Sequence, residues 1–428
     1  MTSERRFDQD LPDLLAQVAQ APAPGYRDLI VERTARTRQR PAWTFPERWL
    51  PMSAVTSRTA TIPRLPLRIV AVAALLLIAL VVGAVLIAGS QQRVPAPFGP
   101  ADNGRVAYVA GGDIYTADPV TGAATALVTG PETDAHPVWS LDGTRVVFER
   151  KVAGPEGNGR LYVAHADGTG LVAITSTPQD KLASYAFSPD GSEVLFMVGS
   201  DASSELWIAK TDGSGARRLD VGMSVDSPAY RPPTGKEIVF AGDAGNGAGI
   251  GLFAVDVASD KVRTIVQPSP TMGIGWVRVA PDGSRAAYSA STQDDSRNTF
   301  RVQVSALDGS RTVTLPMPQG ATFQDAPAWS NDSTMLVVTR GYSTRNQQMT
   351  LAVVPADATS VGIETARGLT GCCDTVLAWA PDDRSILMSP EDINGTFTEQ
   401  VLIDPDTGST KAAPWSATGE AAWQRIAR

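Results

Sequence analysis

A strand–turn–strand pattern that recurs every 43–50 residues from about Arg105 to the C terminus predicts an all-β fold, a seven-bladed β-propeller. Two further observations support that class. The closing residues 421–428 repeat only the opening strand of the pattern, and 31 Pro and 38 Gly supply the turns that a β architecture needs. Ahead of the repeats, one long apolar run predicts a single transmembrane helix, which itself follows a short helical cytoplasmic segment. The expected organisation is therefore 1–66 cytoplasmic, 67–90 transmembrane, 91–103 linker and 104–428 extracytoplasmic propeller.

The first element is an N-terminal segment with two short amphipathic helices. Asp10 caps the first, Pro12 falls in its first turn, and Leu11, Leu14, Leu15 and Val18 are spaced i, i+3, i+4, i+7. The run APAPG at 21–25 ends it. The second, from about Tyr26 to Arg36, places Tyr26, Leu29, Ile30 and Arg33 near one side. Helices this short are marginal in water, and neither can bury its stripe alone. Two outcomes stay open: folding on a cytoplasmic partner, helix in groove, through Leu11, Leu14, Leu15, Val18, Tyr26, Ile30 and Arg33, or a small hairpin or unfolded segment. Next, PAWTFPERWLPM (41–52) sets aromatic residues among arginines. Trp43, Phe45 and Trp49, with Arg64 and Arg68, suit an anionic inner-leaflet interface; contact with a partner is the competing reading.

The membrane element spans Ile69–Gly89 without a charge. At 1.5 Å per residue it is about 31 Å long, the thickness of a bilayer core. It is too long, and too far from residue 1, for a cleaved signal peptide. Between Arg33 and Arg68 lie eight arginines against the single acid Glu47, whereas only Arg93 follows before a neutral, Pro-containing spacer. The positive-inside rule then places the N terminus in the cytoplasm and the propeller outside. Beyond Arg68 the chain is acidic, with 26 basic against 38 acidic residues, so nucleic-acid binding is not expected.

The repeats follow in order as PVWSLDGTRVVFER (137–150), YAFSPDGSEVLFMV (185–198), PAYRPPTGKEIVFA (228–241), VRVAPDGSRAAYSA (277–290), PAWSNDSTMLVVTR (327–340) and LAWAPDDRSILMSP (377–390), and AAWQRIAR closes the chain. Each unit reads as four strands; in the second these are about His136–Trp139, Arg145–Glu149, Arg160–Ala164 and Leu171–Ile174. The recurring Asp residues are turn formers, since Pro presets φ and Gly accepts positive φ in Pro-Asp-Gly. The first unit (105–128) lacks a Trp-Ser-type strand, and residues 421–428 supply one, so the two termini are expected to complete one blade and leave no open edge. Six blades remain an alternative if the PPTG-containing unit is accommodated differently.

WSLDGTRVVF (139–148) and FSPDGSEVLF (187–196) carry a resemblance to the WD-like propeller repeats of TolB, whose signature reads aWSPDGkxIaF, and to the propeller of prolyl-oligopeptidase-type enzymes. The resemblance implies a propeller and leaves function open, because the fold hosts many roles. TolB carries a small α/β domain where an anchor is expected here, and the oligopeptidases add a hydrolase domain, whereas this sequence is expected to end on the propeller's closing strand. The layout of RTARTRQRPAW before a single anchor is similar to the cytoplasmic parts of single-pass anti-sigma-type regulators. Residues 1–68 contain no His or Cys, which excludes the zinc-containing version.

No catalytic motif emerges. GxSxG is absent, and the Gly-rich run at 242–251 lacks the Lys-Ser/Thr ending of a phosphate loop, so it is expected to join two strands. His136 and His165 are the only histidines and make neither a triad nor a zinc site by themselves. Cys372 and Cys373 are adjacent, where ordinary disulfide geometry is hard to meet, so the large domain is expected to rest on its core alone. No catalytic, cofactor or metal residues are expected. The expected role is a membrane-anchored binding or sensing module with protein partners, anti-sigma-like with a sigma factor on the cytoplasmic side. A TolB-like structural envelope protein is the alternative.

Overall fold

Seven antiparallel sheets follow one another along the chain, each built mainly of four strands. The computed structural model describes residues 99–427 except 152–157, 176–178, 181, 201–202, 246, 295–296, 343–348, 370–375 and 390–398. The expected cytoplasmic segment, the apolar span at 69–89 and the Cys372–Cys373 pair lie outside the described residues. Among the described residues no helix is long and apolar enough to cross a membrane.

Blade 1 combines Ala421–Ile426 with Asp102–Ala110, Asp113–Ala117 and Ala124–Val128. Blade 2 is Thr133–Trp139, Arg145–Lys151, Asn158–His165 and Val172–Ala173, with Gln179–Asp180 also pairing to its third strand. Blade 3 is Leu182–Phe187, Glu193–Ser200, Ser203–Lys210 and Ala216–Leu219, and blade 4 is Ser224–Tyr230, Glu237–Asp243, Ile250–Asp256 and Val262–Ser269. Blade 5 follows as Met272–Val279, Arg285–Asp294, Arg297–Ala306 and Thr312–Thr314. Blade 6 is Ala321–Trp329, Met335–Tyr342, Met349–Pro355 and Ile363–Leu369; blade 7 is Val376–Trp379, Ile386–Ser389, Val401–Ile403 and Thr410–Ala412. The PPTG unit thus forms a full four-stranded blade, which decides for seven. The Gly-rich run at 242–251 joins the second and third strands of that blade, as expected.

The ring closes as the partial repeat implied. Ala421–Ile426 pairs antiparallel with Asp102–Ala110 in the register Val106↔Trp423 and Tyr108↔Ala421. One strand from the C terminus thereby covers the edge that blade 1 would otherwise present.

Seven apolar clusters lie in the seven seams between neighbouring blades. Ile114 and Val128 of blade 1 meet Trp139 and Phe148 of blade 2, and the last seam joins Leu387 and Leu402 of blade 7 to Val106 and Tyr108 of blade 1. The aligned residue of each unit, aromatic in every blade but the fifth, which has Val279, is a wedge in the seam with the blade before it. Trp329 packs against Val302 and Val304 of blade 5, and Trp379 packs against Leu351 and Val353 of blade 6. Their indole N–H groups donate to the carbonyls of Arg278 (2.9 Å) and Ala328 (3.1 Å) on the preceding blade's first strand. The repeat period is therefore the distance in sequence between successive wedges.

The repeated Asp residues do form turns. The Asp142 carboxylate accepts from Ser140 Oγ (2.5 Å) and from the Thr144 amide (3.0 Å); Asp190 and Asp332 take the same bonds from Ser188 and Ser330 at 2.6 and 2.7 Å. Partial burial works to raise the Asp142 carboxyl, but the Ser140 and Thr144 donors outweigh it and hold it below the usual range. The glycine of the turn has two reasons to be there. Gly283 has φ +69°, and a Cβ on it would lie 1.9 Å from the Pro232 carbonyl oxygen of blade 4. Blades 6 and 7 place Ser333 and Asp383 at this position, also at positive φ. There the side chains bridge the turns instead: Ser333 Oγ accepts the Asp282 amide (3.0 Å), and Asp383 accepts the Asn331 amide (2.7 Å).

Candidate functional site

The first strands of blades 1 to 7 touch one another in sequence, whereas the fourth strands are largely exposed, so the first strands border the centre of the ring. Most of them share a device that the repeat pattern does not announce. Three residues before the aligned aromatic or apolar position, the backbone enters the left-handed region at His136 (φ 53°), Ser227 (49°), Trp276 (54°) and Ala326 (48°). The ladder register shifts at the same places, at Ala135/Val138, Asp226/Ala229, Gly275/Arg278 and Asp325/Ala328. These are β-bulges, which bend a strand and re-aim its side chains, and a non-glycine residue held there costs on the order of 1–3 kcal/mol.

The bulges gather polar side chains. Between blades 1 and 2, His136 Nδ1 lies 2.9 Å from Glu420 Oε2. His136 was expected to open its strand; the strand instead starts at Thr133, and His136 is the bulge residue. Its carbonyl accepts the Tyr185 hydroxyl of blade 3 at 2.6 Å. The hydrogen bond to Glu420 raises the His136 pKa against the opposing effect of burial. Glu149, buried on the neighbouring strand opposite Ala135, is pushed upward by burial. Beside it, the fully buried Asp134 holds Arg150 through two bonds of 2.7 and 2.8 Å, and the Arg150 guanidinium lies 5.0 Å from the Tyr162 ring centroid.

Blade 6 repeats that pairing with one carboxylate replaced. Gln324 stands where Asp134 stood, and the fully buried Arg340 where Arg150 stood. With its amide assigned from the bonding pattern, the Gln324 oxygen lies 3.1 and 3.0 Å from the guanidinium. Arg340 Nη2 also donates to the carbonyls of Pro316 and Val361. Burial lowers its pKa.

The third cluster lies between blades 4 and 5. Ser227 Oγ donates to Asp226 Oδ1 (3.1 Å) and accepts the Trp276 amide (3.1 Å). The Arg278 guanidinium lies over the Trp276 indole at 5.6 Å from its centroid. Arg278 is open to solvent, yet the surrounding ring lowers its pKa by desolvation while Asp226 opposes that shift.

These residues can bind and orient polar groups. Among the described residues no hydroxyl or thiol side chain hydrogen-bonds to His136, and no group of three or more His, Cys, Asp or Glu is placed to hold a metal ion. The residues named from the sequence, Leu11, Leu14, Leu15, Val18, Tyr26, Ile30 and Arg33 for a partner and Trp43, Phe45, Trp49, Arg64 and Arg68 for the membrane interface, all lie outside the described residues. The bulge residues were missed. One signal was present: immediately before the aligned position the units carry Val138, Ala186, Ala229, Ala328, Ala378 and Ala422, and only blade 5 departs, with Arg278.

The fold and its inner face define a β-propeller of the kind used as a binding or structural scaffold. The chain belongs to the lipoprotein LpqB β-propeller domain family, whose model matches residues 116–395. Among solved structures, an oligogalacturonate lyase in complex with manganese is 13% identical, with 73% of this chain and 85% of that one covered and a TM-score of 0.54. The periplasmic gluconolactonase of Pseudomonas aeruginosa is 15% identical over 75% of this chain and 99% of that one, with a TM-score of 0.51. TolB from Acinetobacter baumannii is 15% identical over 76% and 67%, with a TM-score of 0.44. At these identities the first two likenesses speak for the propeller fold alone.

Proposed function

We propose that the chain is a membrane-anchored module that binds a ligand or protein through the inner face of its propeller and does no chemistry of its own. The closed ring with bulges on its inner strands carries this reading, because strained backbone there holds polar side chains where neighbouring first strands meet at the centre of the ring. Membership of the LpqB propeller family supports a binding or structural envelope role. The apolar run at 69–89 and the arginines before it support a single-pass anchor, with the propeller outside and residues 1–68 inside. We further propose that the two amphipathic stretches before Arg40 bind a cytoplasmic protein, with a sigma factor as the first candidate.

Three experiments test this. A reporter fused after Arg428 is expected to be active only outside the cytoplasm, and activity inside refutes the orientation. In vivo crosslinking from photoreactive residues at positions 135 and 275, on the inner strands, is expected to trap a partner; crosslinks only from outer strands would move the binding surface off the channel. Pull-down with residues 1–66 is expected to recover a sigma factor. Recovery of nothing above a scrambled segment leaves a scaffold whose N-terminal part only anchors it.

A further inference from the structure

We infer that Arg278 and Trp276 form a receptor for a carboxylate group on the first strand of blade 5, at the centre of the ring; this rests on the binding-module function proposed above and gives its site a ligand chemistry. Four observations converge on the pair. Arg278 occupies the position where the other six units carry a half-buried Ala or Val; Val138, Ala186, Ala328 and Ala422 there pack into the seam with the following blade, whereas Arg278 stays open to solvent. Most of its donors find no partner among the described residues. Arg145, Arg231, Arg263 and Arg285 each bond to a neighbouring blade, whereas among the described residues Arg278 donates only to the carbonyl of Val277, the residue before it (3.1 Å).

Asp226 is the acid that Arg278 senses, and among the described residues no carboxylate lies within ion-pair distance of it. A planar guanidinium with free N–H groups in a partly enclosed site matches a planar oxyanion, which it can hold through two parallel bonds. Trp276 is the fourth observation. A bulky residue at positive φ is a backbone outlier, and here the Ser227–Trp276 bond holds it so that the indole lies under the guanidinium. The stacked indole fixes the plane of the fork.

Asp226 also sets selectivity. Its carboxylate lies on the Gly275 side of the site, 3.6 Å from where a Cβ on Gly275 would stand. A monoanionic carboxylate meets one repulsive charge there, and a phosphate dianion meets it twice over, in a setting less screened than open water. The group selected is thus a carboxylate at the end of a ligand. That end can belong to a small free acid or to the C terminus of an extended peptide.

The experiment titrates the purified full-length chain, read by tryptophan emission, with four probes: propionate, N-acetyl-Gly-Gly, its neutral amide, and inorganic phosphate. The expected result is saturable binding of a carboxylate probe, with the amide and phosphate each at least about 10-fold weaker. Tighter binding of the peptide acid than of propionate assigns a chain end, and the reverse order assigns a small acid. Arg278→Gln is expected to weaken carboxylate binding about 10-fold or more, while Arg218→Gln, on an exposed outer strand, leaves it unchanged. Arg278→Lys keeps the charge and removes the fork, and is expected to fall between wild type and Arg278→Gln. That variant also carries the test if Arg278→Gln melts early. Equal binding of acid and amide, no saturable binding by any carboxylate, or an unchanged affinity in both Arg278 variants overturns the inference. A partner that still crosslinks to the inner strands of Arg278→Gln leaves the binding-module function standing and removes only the carboxylate receptor.

Discussion

Replacing Glu237 with Gln should cost about 2 kcal/mol at neutral pH and almost nothing in strong acid. Glu237 sits at the start of the second strand of blade 4 and grips two arginines, Arg231 at 2.6 Å and Arg263 at 2.7 and 2.8 Å. Each arginine reaches on to blade 5, where Arg231 donates to the Gly283 carbonyl (2.9 Å) and Arg263 to that of Leu307 (2.7 Å). One carboxylate thus orients two clamps across a seam. The Arg263 hydrogen bonds, with those of Arg231 and against the effect of burial, lower its pKa from 4.5 to about 2. A depression of that size corresponds to about 3 kcal/mol, at roughly 1.4 kcal/mol per tenfold change in proton affinity. The arginine side chains are 36% and 37% exposed, so solvent screening reduces the figure to about 2 kcal/mol.

The sign follows from the direction of that shift. A carboxyl whose folded-state pKa is depressed stabilises the fold above its unfolded value, near 4.5, and the contribution is lost as pH falls from there towards about 2. Urea unfolding of wild type and Glu237→Gln at pH 7, 4, 3 and 2.5, followed by tryptophan emission, should show a gap of about 2 kcal/mol that shrinks steadily below pH 4.5. A gap that is absent at pH 7, or one that stays constant down to pH 2.5, refutes the clamp.

Three other expectations follow from the seams and the bulges. Trp329→Phe should cost about 1 kcal/mol more than Trp423→Phe in thermal or urea unfolding, because the Trp329 indole bonds to the Arg278 carbonyl whereas the buried Trp423 Nε1 has no partner among the described residues. His136 has its pKa raised by Glu420, so its contribution is complete below about pH 6.5 and is lost as pH rises through the raised value. Wild type should therefore exceed His136→Gln in unfolding midpoint by more at pH 5.5 than at pH 8.5. Gly283→Ala should destabilise by at least about 2 kcal/mol, since the new Cβ meets a backbone oxygen at 1.9 Å, while Gly309→Ala, whose nearest neighbour is 3.4 Å away, should cost only the left-handed backbone, about 1 kcal/mol. Calorimetry of the two alanine variants side by side checks the difference.

The propeller was legible because its signals are local. Ser-x-Asp-Gly turns are made by residues two to five apart, and the strand between two such turns has nowhere else to go. Even the ring's closure could be read, since a repeat that begins one strand short and ends one strand long has a single arrangement without a free edge. The channel was not legible in the same way. A bulge at His136, Ser227, Trp276 or Ala326 is decided by how an inner strand must bend where seven strands converge, and no residue type at those four positions is shared.

Two histidines spread over the chain said nothing of Glu420, which lies 284 positions from His136 and reaches it only because the closing strand returns to blade 1. Likewise the departure at Arg278 stood in the sequence as one basic residue in a column of five alanines and Val138, without a sign of where it pointed. By itself, then, the sequence determined the seven-fold repeat, the turn chemistry and the strand that joins the termini. These depend on contacts within a unit or on the count of units. Only the tertiary structure decided which polar residues meet at the centre, because those contacts cross from blade to blade, over separations that no periodicity in the chain encodes.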